Sequence, residues 1–165
     1  MTHRPPSPLL MVSESAQTCM RLAAARSHPV ETGGLLIGVH LDGHPWVVAA
    51  VEIATNDRGR NHFKIPAGAT QPAVRAARAA DPRLGYLGDW HSHPNDVGPS
   101  PTDLATLGLI SIKHARDPNP ALVIVRRHGV GYALDARRIT ALRPRTCEVR
   151  LMGDLPPTDP NEGMP

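Results

Sequence analysis

Apolar residues along this chain recur with two periods, and the switches between them divide it into elements. Residues 13–27 place Ala16, Met20, Ala23 and Ala24 on one face at helical spacing, and His28-Pro29 stops the run. Leu35 to Leu41 and Trp46 to Ile53 are strand-like and flank Asp42-Gly43-His44-Pro45, whose Asp-Gly pair predicts a hairpin. The polar stretch Asn56-Asp57-Arg58-Gly59-Arg60 gives way to a short predicted strand around His62-Phe63-Lys64-Ile65. Gln71 to Ala80 reads as an Ala- and Arg-rich helix ended by Asp81-Pro82 and laid over the sheet. Leu84 to Gly88 reads as a strand buried on both faces. Pro101 to about Ala115 is apolar almost all round, through Leu104, Leu107, Leu109, Ile110 and Ile112, which predicts a buried helix. Asp117-Pro118-Asn119-Pro120 then turns the chain into two last strands, Ala121 to Arg126 and Val130 to Leu134, across Arg127-His128-Gly129.

At 165 residues the chain is expected to form one domain. Residues 1–10 read as a flexible lead without an apolar signal core, and no apolar run approaches the roughly 20 residues of a membrane span. From Arg143 the chain is rich in Pro, Arg and acidic residues, so 143–165 reads as a largely disordered tail. The net charge is +3 and comes from scattered Arg with only two Lys, Lys64 and Lys113, and few aromatics are available to stack on bases. Nucleic acid is therefore not expected as the main partner. Cys19 and Cys147 are too few for a disulfide framework, and the expected compartment is the reducing cytoplasm.

Chemistry concentrates in Gly88-Asp89-Trp90-His91-Ser92-His93-Pro94 and the following Ser100-Pro101-Thr102-Asp103. His91 and His93 are two apart, so both imidazoles project from one face of a strand end. Pro94 and the run to Pro99 stop that strand. Ser100 is a favoured N-cap, Pro101 suits the first helical position and Asp103 falls in the first turn, which aims Ser100 and Asp103 back at the strand end. His91, His93 and Asp103 make a two-nitrogen, one-carboxylate set with a fourth position left for water, the pattern of catalytic zinc. Taken singly, a His-x-His pair is commonly incidental, and Ser100-x-x-Asp103 is explained as a capping box. Asp89 shares the strand face of His91, where it either orients that ring or is a solvated carboxylate. The remaining histidines, among them His28, His40, His44, His62, His114 and His128, lack ligand spacing and read as surface or turn residues.

The order Glu, then His-x-His-Pro, then Ser-x-x-Asp resembles the JAMM (JAB/MPN+) metallopeptidases, with Glu31, His91, His93, Ser100 and Asp103 in the matching places. Upstream, Val30-Glu31-Thr32-Gly33-Gly34-Leu35 is similar to that family's Glu and Gly-rich approach to its first strand. Gly88-Asp89-Trp90 and Pro99-Ser100 resemble bacterial members associated with ubiquitin-like or sulfur-carrier systems. The loop from His93 to Ser100 is a residue shorter than in eukaryotic members. The resemblance implies an α/β fold, a single-domain α-β-α sandwich of the MPN/JAB (cytidine-deaminase-like) type with a mixed sheet flanked by helices. It implies a catalytic domain over 11–142, one Zn2+ held by His91, His93 and Asp103, Glu31 as proton acceptor and Ser100 as oxyanion donor. It further implies that residues around 55–68 help grip an extended substrate tail, where the plain reading is a connecting loop.

Three functions follow. The first is hydrolysis of the bond after the C-terminal Gly of a ubiquitin-like protein, with activating or conjugating enzyme homologues as possible companions. The second is release of a sulfur-carrier protein from a small adduct such as cysteine. The third, from another class, is a non-catalytic MPN-type scaffold, although scaffolds of this kind usually lack a metal position and none is missing here. Zinc-dependent nucleobase deamination requires His-x-Glu and Pro-Cys-x-x-Cys, and neither motif is present.

Overall fold

A computed structural model describes residues 5–114 and 119–159. In chain order its elements are β1 (Leu9–Ser13), α1 (Glu14–Ser27), β2 (Gly33–Leu41), β3 (His44–Glu52), α2 (Thr70–Ala80), β4 (Gly85–His93), α3 (Pro101–Lys113), β5 (Ala121–His128), β6 (Gly131–Thr140), β7 (Arg143–Thr146) and β8 (Glu148–Met152). They form one eight-stranded sheet in the order β7-β6-β5-β4-β2-β3-β1-β8. The sheet is mixed: β1 runs parallel to β3 and β8, β4 runs parallel to β5, and the other pairs are antiparallel. The α/β fold with a mixed sheet and flanking helices is the expected one.

Local signals explain most elements. Ser13 caps α1 by accepting from the Ala16 amide at 3.2 Å. The β2–β3 turn is Asp42-Gly43, both at positive φ (51° and 77°), the two-residue hairpin turn whose twist matches its strands. β4 is bulged at Leu87, because Ile37 pairs with Tyr86 while Leu36 pairs with Gly88. Gly88 (φ 146°) is needed there, since a Cβ would stand 1.9 Å from the Ala121 carbonyl oxygen of β5.

The sheet curves until its edge strands nearly meet. β7 and β8 follow one another through Cys147, whose amide donates to Ala136 O at 2.9 Å, and the Glu148 amide donates to Pro8 O at 2.8 Å. One face wraps α1 in the main core, where Leu10, Met20, Leu36, Trp90 and Val123 are inaccessible to solvent. The other face carries two smaller cores, Leu35, Ile37 and Val74 under α2, and Leu107, Leu122 and Ile124 under α3.

Four expectations need correction. Leu9 and Leu10, placed in a flexible lead, belong to β1, held between β3 and β8. Residues 143–152, placed in a disordered tail, form β7 and β8, because pairing with β6 and β1 satisfies their backbone despite a polar sequence. The predicted strand at 62–65 is reduced to a single bridge between Arg58 and Phe63. Helix α3 is not buried all round: Leu107 packs on the sheet, but Leu109 is 62% and Ile112 73% exposed. The lead at 1–4, the end of α3 at Ala115, the turn residues Asp117 and Pro118, and the tail at 160–165 lie outside the described residues. Among the described residues, no helix is long and apolar enough to cross a membrane.

Candidate metal centre

The C-terminal end of β4 lies between β2 and β5, so its backbone is bonded on both sides where the two imidazoles emerge. Trp90 and Ser92 face α1, while His91 and His93 face the opposite side, both buried. Gly33 lets β2 approach here, since a Cβ would stand 2.3 Å from Trp90 O and 2.7 Å from His91 Cβ.

The chain then turns into α3 through the expected cap. Pro101 opens the helix, Ser100 Oγ accepts from the Asp103 amide at 3.1 Å, and Asp103 Oδ2 accepts from the Ser100 amide at 2.7 Å. The capping-box and ligand readings of Asp103 are therefore compatible. Its Oδ1 lies 3.2 Å from His91 Nε2, and its Oδ2 lies 3.4 Å from His93 Nε2. The two Nε2 atoms are 3.2 Å apart. Glu31, just ahead of β2 and buried, brings Oε1 to 3.7 Å from His93 Nε2. All four predicted polar groups thus meet in one place, and Ser100 lies beside them.

The spacing suits a small cation. In a tetrahedral site with bonds of about 2.0–2.1 Å, ligand atoms stand roughly 3.3 Å apart, close to the three separations among His91, His93 and Asp103. The set in which all ligand atoms lie within 4.8 Å of one another is Glu31, His91 and His93. Asp103 nevertheless approaches each ring more closely than Glu31 approaches His93. His93 Nδ1 is 2.9 Å from Val97 O. A carbonyl only accepts, so Nδ1 carries the proton, and in the neutral ring Nε2 turns its lone pair inward.

Burial and hydrogen bonding push the two carboxylates apart. Burial raises the Glu31 pKa, and the imidazoles of His91 and His93 oppose it only in part. Burial also acts upward on Asp103, but hydrogen bonds from His91 and His93 outweigh it and hold this carboxyl well below the usual range. For His93, burial acts downward and is outweighed by the hydrogen bonds to Asp103 and Val97, so its pKa is raised.

Several supporting residues carried no sequence signal. Ser92 latches the segment bearing Glu31: its Oγ accepts from the Thr32 amide at 3.0 Å and its amide donates to Thr32 O at 2.7 Å. Thr32 Oγ1 in turn donates to Glu52 at 2.6 Å. The Glu31 amide donates to Gly59 O at 2.8 Å. Phe63 stacks on His91 with ring centroids 6.3 Å apart. Only the alternation of β4, which turns Ser92 away from the histidines, could have marked it. Asp89 does share the face of His91, but it accepts from Tyr86 Oη at 2.8 Å, and burial pushes its pKa up to about 6 against that hydrogen bond.

The cluster opens into a cleft of about 380 Å³ floored by Glu31, His93, Ser100 and Asp103. A larger cavity of about 830 Å³, beside α2 at the opposite end of β4, is lined by Trp46, Arg78 and Tyr86 and holds no cluster of ligand atoms among the described residues.

Comparison with known proteins agrees with this geometry. The family described as prokaryotic homologs of the JAB domain matches residues 13–140. A protein of Sinorhizobium fredii named as a probable metalloprotease is 30% identical over 123 residues, covering 71% of this chain and 75% of that one. A CD-NTase/cGAS isopeptidase of Pseudomonas aeruginosa is 32% identical over 121 residues, covering 71% and 76%. In fold, the solution structure of a Desulfitobacterium hafniense protein superposes with a TM-score of 0.64 at 22% identity, covering 89% of this chain and 95% of that one.

Proposed function

Because the chain belongs to the prokaryotic JAB-domain family, whose relatives here include a metalloprotease and an isopeptidase, we propose that it is a zinc-dependent peptidase that hydrolyses the bond after the C-terminal Gly of a ubiquitin-like protein. The observation that carries this reading is the convergence of His91, His93 and Asp103 with Glu31 beside them. The isopeptidase relative, at 32% identity, supports a protein as the substrate.

His91, His93 and Asp103 are the ligands, since two neutral nitrogens and one carboxylate favour zinc over magnesium or calcium. When bound, zinc supplies Lewis acidity and lowers the pKa of water to about 7. The Ser100 amide, which donates to Asp103 Oδ2 at 2.7 Å, favours the ionised carboxylate that a metal ligand must be. The raised pKa of Glu31 suits a group that gains and loses a proton, accepting it from the attacking water and returning it to the leaving nitrogen. Ser100 Oγ uses a lone pair on the Asp103 amide, which leaves its own hydrogen to donate to the acyl oxygen as negative charge develops.

The test compares wild type and Glu31→Gln for bound zinc and for cleavage of a ubiquitin-like protein fused through its terminal Gly. Retained zinc with cleavage reduced about 10²–10⁴-fold is expected, and undiminished cleavage refutes Glu31 as the base. Protein purified without chelators that contains no metal would return the scaffold reading.

A further inference from the structure

One wall of the metal cleft is the loop between β4 and α3, and the groups that hold this loop have no part in the chemistry above. Residues 94–100 lie in no helix or strand, and Asn95, Val97, Gly98 and Pro99 line the cleft. The loop reaches the site through one backbone atom: Val97 O accepts from His93 Nδ1 at 2.9 Å and so selects the tautomer whose Nε2 lone pair faces the cluster. A carbonyl within a helix or sheet is held by its ladder. Val97 O has no such ladder, and the Val97 side chain is 55% exposed, so apolar packing does not hold it either.

The contacts that do fix the loop come from charged residues of β5 and β6. Asp96, beside Val97, accepts from Arg126 Nη1 and from His128 Nδ1, the latter at 3.0 Å. Arg126 is the β5 partner of His93 in the parallel pairing, so it stands on the metal-bearing face next to that ring. Its Nε also lies 4.0 Å from Asp135 Oδ2, and Asp135 accepts from Arg137 Nη1. Gly98 rests against the same carboxylate, since a Cβ there would stand 2.6 Å from Asp135 Oδ2. The ladder of Asp96, Arg126, Asp135 and Arg137 therefore carries the loop on both sides of Val97.

An exposed ion pair is ordinarily worth little to stability, and the Asp96 side chain is half exposed. Its place in the chain sets this one apart, because the next carbonyl along is the one that meets a ligand ring. We propose that Asp96 is a positioning residue for the metal centre: clamped by Arg126 and His128, it holds Val97 O against His93 and thereby sets the orientation and tautomer of that ligand. This deepens the peptidase reading and rests on its assignment of His93 as a ligand. Without the clamp the loop is free to leave the ring, and His93 can then carry its proton on Nε2, which blocks that nitrogen as a ligand.

The test measures two quantities on the full chain: the zinc dissociation constant, by competition with a chromogenic chelator, and the nitrogen NMR shifts of the His93 ring in metal-free protein, at a pH high enough that imidazoles are neutral. Wild type should show His93 protonated on Nδ1. Asp96→Ala should weaken zinc binding about tenfold, the lower end for groups that orient a metal ligand, and move His93 toward a mixture of tautomers. Arg126→Gln combined with His128→Gln opens the clamp from the other side and should do the same. Asp96→Asn keeps an acceptor for both donors and should recover most of the loss. Glu148→Ala removes a comparably exposed pair with Arg150 on β8 and should change neither quantity. Wild-type zinc affinity or an unchanged His93 tautomer in Asp96→Ala overturns the proposal, as does an equal loss of zinc in Glu148→Ala. If wild type takes up no zinc, the peptidase reading fails, and the ring shifts still decide whether Asp96 positions His93.

Discussion

β4 presents two unlike faces to the two halves of the molecule. Toward α1 it turns Leu87 and Trp90 into one continuous core that wraps the helix with residues from six strands. Away from α1 it turns Tyr86, Asp89, His91 and His93, and the apolar contacts there divide into two small cores with the polar cleft beside them. The difference shows a division of labour across one backbone. Close packing on the α1 face locks the strand, and the locked strand fixes two imidazoles that have little apolar support of their own. Stability should therefore reside on one face and chemistry on the other.

The largest expected effect breaks the chemical face. His91→Ala should abolish zinc retention and cleavage together, while costing the metal-free fold less than a core truncation does. Metal analysis beside denaturant melts checks both halves, and a variant that keeps its zinc removes His91 from the ligand set. Next comes the packed face. Trp90→Ala deletes a fully buried side chain and should cost about 3–5 kcal/mol in urea unfolding, with the protein that remains folded still binding zinc.

Cys147 sharpens the comparison through pH. It lies in the α1 core where the sheet closes, and burial pushes its thiol up to about 11 from an ordinary 9.0. The folded state holds this proton more tightly than the unfolded state, so its contribution is full below pH 9 and is lost as pH rises toward 11. Wild type should lose about 1–2 kcal/mol more than Cys147→Ala over that window, and parallel melting curves would contradict the assignment. The smallest effect belongs to α3, where Ile112→Ser should change stability by no more than about 0.5 kcal/mol because the side chain is exposed.

The parts legible in the sequence are those whose cause is local. Asp42-Gly43 marks its own turn, Ser100-Pro101 opens its own helix, and two histidines one residue apart share a strand face in any sheet. What escaped is non-local. β1, β7 and β8 exist because distant backbones pair, and no residue within 143–152 advertises its partner. The composition of α3 states how apolar the helix is but not how much sheet lies beneath it. The Tyr86–Asp89 hydrogen bond was hidden by the bulge at Leu87, which brings residues three apart onto one face where strict alternation separates them. Ser92 went unread because its importance lies in Thr32, sixty residues upstream.

Anomalous diffraction at the zinc edge, from crystals of the zinc-loaded protein, tests the central claim most directly. A single peak is expected about 2.0–2.2 Å from His91 Nε2, His93 Nε2 and one Asp103 oxygen, with the Glu31 carboxylate near it but outside bonding distance. A peak bonded to Glu31 with Asp103 turned away, or no peak between the two imidazoles, would contradict the account.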